Sequence, residues 1–229
     1  MEDFPPFPGF QPAAFTFLKE LAQNNDRDWF KPRKATYDDE VLWPLRCLLA
    51  EVARESAVRG LGVTADPKKS IFRIYRDVRF SKNKDPYKTH VAAVMARDSS
   101  KNPNGVVYIH IQPNNCFIGA GFWRPESKLL RAWRERMVDD PDGFIGIINQ
   151  LGQKDTPVSG DESLKRLPRG FEAAAGSPIE PYLKWKSFVC SRQLPDKALQ
   201  SPTLVQEMVK TAEDVQPLLQ YGWEVMDAL

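Results

Sequence analysis

The chain has 229 residues, 42% of them hydrophobic, and its 32 basic and 30 acidic side chains leave a formal net charge of +2. That length and apolar content suffice to bury a sizeable core, and the near-neutral balance argues against a surface that coats a polyanion along its whole extent. No apolar run approaches the roughly 20 residues that cross a bilayer, and the start at Glu2 and Asp3 is acidic where a leader is basic, so a cytoplasmic protein without a membrane partner is expected.

Pro12 opens a helical pattern in which Ala14, Phe17, Leu18 and Leu21 recur at helical spacing, with Asn24 and Asn25 as terminators. A second helix is predicted from about Lys34 to Arg59, with Tyr37, Val41, Leu45, Leu48 and Val52 on one face, and Gly60 and Gly62 end it. Pro44 within it implies a kink or a late start. Ile71, Phe72, Ile74 and Tyr75 favour a strand over Ser70–Asp77, and Val91–Ala96 and Val106–Ile111 continue the β character. A turn at Pro113, Asn114 and Asn115 returns the chain as Cys116–Trp123, where Gly119 and Gly121 allow a bulge or a close backbone approach. Pro125 starts a helix carrying Leu130, Trp133 and Met137, and Pro141 starts another carrying Phe144, Ile147, Ile148 and Leu151. Lys184–Ser191 reads as an edge strand. Ser201 and Pro202 open a terminal helix with Leu204, Val205, Met208 and Val209, and Tyr221, Trp223 and Met226 pack a last helical turn. Helices grouped around a contiguous run of strands predict an α+β fold, mainly an antiparallel sheet with N-terminal, middle and C-terminal helices packed around it. Without a linker or repeat, one domain over 1–229 is expected, its C-terminal helical extension covering about 201–229.

The chemistry concentrates between Ser70 and His90, where Arg73, Arg76, Arg79, Lys82, Lys84 and Lys88 face only Asp77 and Asp85. On a regular strand Arg73 and Arg76 would project to opposite faces, so at least one guanidinium reaches inward and needs a carboxylate or an anionic ligand. Three readings stay open: a structural Arg-Asp network, an anion pocket using planar guanidinium forks on phosphate or carboxylate, and a solvated basic face. Asn83, Asp85 and Pro86 favour a turn that presents Lys82, Lys84 and Tyr87 beside the arginines. Supporting positions are Arg27, Tyr75, Asp77, Tyr87, Trp123, Arg124, Arg169 and Lys186, with Arg166 near them in sequence.

Near the N-terminus, Asn24 and Trp29 read as a helix C-cap followed by an aromatic anchor, whereas Arg27 and Asp28 have no such explanation. Gly119-Ala-Gly121 meets neither nucleotide-binding glycine pattern. Neither His90 nor His110 has metal-type spacing to Cys, Asp or Glu, and Cys47, Cys116 and Cys190 are odd in number and far apart, so no metal, cofactor or disulfide framework is expected. No nucleophile elbow or carboxylate pair identifies a catalytic residue, and whether the protein is an enzyme stays open. The leading expectation is a small phosphate- or carboxylate-bearing ligand in a basic aromatic cleft. The alternatives are a single-stranded nucleic-acid or RNA-binding module, in which aromatics stack on bases, and a protein interaction module.

Taken together, Asn24-Asn-x-Arg27-x-Trp29-Phe30 and Phe72-Arg-Ile-Tyr-Arg-Asp-Val-Arg-Phe-Ser-Lys82-x-Lys84-x-Pro-Tyr-Lys88 resemble the DUF2461 family, a family of domains of unknown function. Gly121-x-Trp123 with Pro125, Leu167-Pro-Arg-Gly170-Phe171 and Leu183-Lys-x-Lys186-Ser-Phe188 are similar to later pieces of its pattern. The resemblance spans roughly Phe15 to Phe188 and implies a family-like core over about 12–190, with no reaction, cofactor or substrate attached. This chain has Asn83 where the family has Asp or a similar residue, and Asp85 where it has Thr.

Overall fold

In the computed structural model, which describes residues 4–102, 104–154, 156–160 and 162–229, Pro12 occupies the first turn of helix α1 (Pro12–Gln23). Its missing N–H costs no intrahelical bond there. Asn24 closes α1, its main-chain N–H and its side chain both donating to Glu20 O. Asp26 then caps α2 (Arg27–Phe30) by accepting from the N–H groups of Asp28 and Trp29.

The long helix predicted from Lys34 is interrupted. After α3 (Lys34–Thr36) the turn Tyr37–Leu42 is π-helical, and α4 runs only from Trp43 to Arg59. Pro44 supplies the physical reason: it has no N–H to give the carbonyls before it, so it is accommodated in the first turn of α4 and the preceding turn widens. The N–H of Trp43 accordingly reaches back five residues to Asp38 O. Gly60, at φ 67°, ends α4 in the left-handed conformation.

Ser70–Asp77 is not the regular strand its composition suggests. Ile71 and Ile74 are both buried, and residues three apart cannot share one face of a regular strand. The segment instead bonds first to β1 (Val91–Met95), through Phe72 N–H to Ala92 O and Val94 N–H to Ser70 O. It then folds onto itself, with Arg76 N–H on Pro86 O and Lys88 N–H on Ile74 O around a Tyr75–Tyr87 bridge. Residues 74–88 thus form a short hairpin arm with a loop at 77–85.

β2 (Asn104–Ile111) and β3 (Cys116–Phe122) meet at the predicted turn, where Asn114 takes φ 64°. The antiparallel register of β1 and β2, Val94 opposite Tyr108 and Ala92 opposite His110, buries Val107, Ile109 and Ile111 on the other face. Then follow α5 (Ser127–Asp139), α6 (Pro141–Gln153), β4 (Val158–Ser159), α7 (Glu180–Leu183), β5 (Phe188–Leu194), α8 (Asp196–Leu199) and α9 (Leu204–Asp227). The strands make a five-stranded antiparallel sheet in the order β1-β2-β3-β5-β4, and the fold is α+β as expected. β5 starts at Phe188 instead of Lys184 because the N–H groups of Lys184 and Trp185 still close turns onto Pro181 O and Tyr182 O. α9 runs on through Pro217 as one helix up to Asp227.

Two compact units interleave along the chain: 4–101, 107–118 and 193–210 in the first, and the described residues of 102–106, 119–192 and 211–229 in the second. The first packs Phe17, Phe30, Tyr37 and Tyr87 beside Leu18, Leu45 and Leu48. The second is built on Trp133, stacked on Phe188 with centroids 4.1 Å apart, and edged by Phe122 and Phe144. Gly121, at φ 126°, is required there, since a Cβ would lie 2.0 Å from Phe188 O. Among the described residues no helix is long and apolar enough to cross a membrane.

Candidate functional site: a basic aromatic cleft

The hairpin arm is fastened to the first unit at two points. The Asn25 amide clasps the main chain of Tyr87, donating to its carbonyl and accepting from its N–H, each at 3.0 Å. The buried Tyr87 ring stacks on Phe30 with centroids 4.2 Å apart. Sequence spacing marks Asn25 as a helix terminator; Asn24 does that work, and Asn25 positions the arm. With Tyr87 turned inward, its bridge partner Tyr75 stays 50% exposed.

Below the arm lies a cleft of about 290 Å³. Phe30, Tyr37, Leu42, Ile71, Phe72, Ile74 and Tyr75 give it an apolar and aromatic lining, and Lys34, Arg46, Lys68, Arg73 and Lys101 bring positive charge to it. Among the described residues that line it, Asp38 is the one carboxylate, and Lys34 engages it at 2.5 Å. Much of this lining comes from the π-helical turn and its neighbours, a backbone irregularity that recurs at functional sites. Arg46, one turn beyond Leu42, is half-buried, and its Nε is buried without a hydrogen-bond partner among the described residues. Burial pushes the Tyr37 hydroxyl well above the usual phenol range, with Asp38 adding and Arg46 opposing, so it stays a proton donor.

Lys88 lies beside this cleft, its ammonium 5.6 Å from the Phe72 ring, and Lys101 lies 5.7 Å from the same ring. Burial pushes the Lys88 amine down, and Arg73 and Lys101 repel its charge further. Cations that raise one another's electrostatic energy favour an anion between them.

The other basic positions of the arm have protein partners or face solvent. Arg76 is half-buried and lies 3.8 Å from Asp85. Arg79 grips Asp77 with Nε and Nη2 at 2.9 and 2.7 Å, and that bond holds the Asp77 carboxyl below its ordinary range. Lys84 donates to Val78 O at 3.0 Å, and Lys82 is exposed. Arg27 is exposed at the start of α2, close enough to oppose the burial-driven rise of the Tyr87 phenol.

In the second unit, a separate pocket of about 380 Å³ is lined by Arg124, Pro125, Leu130, Glu162 and Lys186. Arg124 takes φ 45° just after the exposed Trp123, and its Nε and Nη2 are already on the Glu162 carboxylate. Lys186 also acts on Glu162, and the Arg124 bond leads the causes that hold this carboxyl below its ordinary range. Arg166 and Arg169 are exposed.

The structure therefore gathers Arg73, Tyr75 and Lys88 around one cleft and Arg124 and Lys186 around another. Sequence reasoning overlooked Lys34, Arg46, Lys68 and Lys101. Arg46 left a readable signal, a guanidinium set between Leu45 and Leu48 in an apolar helical run; Lys101 left none. His110 is buried and satisfied, Nδ1 2.9 Å from the Tyr108 hydroxyl and Nε2 3.2 Å from Gln112 Oε1. The His90 ring lies tilted against it with centroids 4.3 Å apart, and burial, with His110 and Lys88, pushes the His90 pKa down to about 4.

A family model described as conserved hypothetical protein (DUF2461) matches residues 13–221, a span that runs through both units. No curated protein and no solved structure matches the chain.

Proposed function

We propose that this chain, which belongs to the DUF2461 family, binds a small phosphate- or carboxylate-bearing molecule in the cleft of its first unit. The observation that carries this reading is Arg46, a half-buried arginine lining the cleft whose buried Nε has no hydrogen-bond partner among the described residues. A half-buried guanidinium whose charge no protein carboxylate is seen to meet is costly, and an anion held against Arg46 and Arg73 would offset that cost through charge-assisted attraction. Lys101 and Lys88 stand around Phe72 as a second rank of charge. Arg76, Arg79, Lys82 and Lys84 on the hairpin arm form an outer basic field that draws an anion in. Phe72 and Tyr75 supply the apolar wall that binding pockets combine with a few placed polar groups. Burial of the free thiols Cys47, Cys116 and Cys190 fits a reducing compartment, and we place the protein in the cytoplasm on that ground.

Calorimetric titration with inorganic phosphate, sulfate and citrate tests the reading. Saturable binding by at least one anion should weaken as salt is raised and fall about tenfold or more in Arg46→Met. If no anion binds the wild-type chain, the reading is wrong.

A further inference from the structure

We infer that the ligand of this cleft is a phosphate monoester carrying a planar ring, about the size of a mononucleotide; the inference rests on the anion-binding reading above.

Charge selects the phosphate monoester. Lys34 engages Asp38 at 2.5 Å, leaving the positive charge of Arg46, Arg73 and Lys101 to the ligand. A monocarboxylate brings one negative charge to that wall, whereas a phosphate monoester brings about 1.5 to 2 at neutral pH and three strong acceptor oxygens. Two guanidinium groups lining one cleft suit those oxygens, since a guanidinium fork can take two of them side by side. Tyr37 remains a proton donor in the lining, suited to a further acceptor of the ligand.

The aromatic wall selects the ring. Tyr87 is committed to Phe30, and Tyr75, whose ring lies 5.4 Å from that of Tyr87, stays 50% exposed and lines the cleft. Phe72 continues this wall. A flat ring laid against Tyr75 gains stacking that a sugar phosphate or inorganic phosphate cannot. A volume of about 290 Å³ is on the scale of one nucleotide. The same chemistry has two sources, a free mononucleotide and the phosphorylated end of a single strand.

The test is a calorimetric series on the full chain at constant pH and salt. The probes are inorganic phosphate, phenyl phosphate, adenosine 5′-monophosphate, adenosine 3′,5′-cyclic phosphate and a 5′-phosphorylated single-stranded hexanucleotide. Adenosine 5′-monophosphate should bind at least tenfold tighter than inorganic phosphate and at least fivefold tighter than the cyclic ester, which keeps the ring but carries one charge. Tyr75→Ala, a surface change, should lower its affinity to near that of inorganic phosphate while leaving the latter unchanged. Arg46→Met should weaken both, with a thermal unfolding curve confirming that it folds. A hexanucleotide binding tighter than the mononucleotide identifies the strand end as the source; equal or weaker binding identifies the free nucleotide. If inorganic phosphate binds and neither phenyl phosphate nor the nucleotide binds tighter, the ring is wrong and the anion site stands. If no anion binds, both fall together.

Discussion

Each unit turns one helical arginine inward, and the two are satisfied in opposite ways. In the second unit, Arg134 of α5 is 8% exposed, its Nε donating to Leu183 O at 2.8 Å and its Nη2 to Trp185 O at 3.2 Å. Those carbonyls lie at the end of α7, where a helix presents partial negative charge, so the guanidinium pins one helix to another. In the first unit, Arg46 sits near the start of α4 with its Nε buried and without an acceptor among the described residues. Both arginines look alike in a helical pattern. An arginine with its acceptors already in place is structural, and the proposal above gives the arginine without one to a ligand. The two pockets repeat the contrast, since Glu162 already fills the Arg124 fork while Asp38 in the first unit is engaged by Lys34.

The largest effect expected from this contrast is on folding. Arg134→Met should cost about 3 kcal/mol in urea unfolding, because two carbonyls lose a charged donor, and it should leave anion binding untouched. An Arg134→Met chain as stable as wild type would remove the structural half of the comparison. Next, Asn25→Ala should cost about 2 kcal/mol by releasing two bonds to the Tyr87 main chain, and it should weaken anion binding because the arm that carries Tyr75 and follows Arg73 loosens. Stability lost with affinity retained would show that the arm does not shape the site. Arg46→Met should reverse the Arg134 result, with an unfolding midpoint equal to or above wild type and anion affinity down about tenfold, or about 1.4 kcal/mol.

A smaller effect comes from the histidines of the first unit. His90 titrates at about 4 in the folded chain against 6.5 ordinarily, and burial pushes His110 down as well. Between those values the unfolded chain binds more protons than the folded one, so stability is complete above pH 6.5 and declines as pH falls toward 4. Between pH 7 and pH 5 the loss should be about 1 kcal/mol after allowing for partial exposure of the ring. His90 and His110 are the chain's two histidines, so His90→Phe should flatten most of that slope; an unchanged slope would place its origin elsewhere. Last, Glu162→Gln should leave the unfolding midpoint where it is, because its pair with Arg124 is solvent-exposed. A clear drop would make the second pocket a structural clamp.

Much of the fold was legible along the chain. Pro12, the turn at 113–115 and the apolar spacing in α5 and α6 each act locally, through a missing N–H, a turn residue or a helical period, and each appears where the sequence places it. Gly121 was legible as a close approach, although its partner, the Phe188 carbonyl, was not. The misplaced elements are those where local preference met a tertiary demand. Residues 70–77 have strand composition, yet burying both Ile71 and Ile74 breaks the period; Pro44 marked an interruption without revealing a π-helical turn.

The site divides along the same line. Arg73, Tyr75 and Lys88 stood out because they crowd one short segment, and composition alone exposes such crowding. Arg46 and Lys101 are drawn to that segment from positions 27 residues before Arg73 and 28 after it, so only the folded chain sets them around one cleft. By itself the sequence determined the α+β class, the main helices and strands, and a concentration of basic and aromatic side chains, since these depend on neighbours a few residues apart. Only the tertiary structure decided which cations receive a carboxylate from the protein, because an ion pair depends on distances through space. Arg79 and Arg124 receive one, and the buried Nε of Arg46 does not.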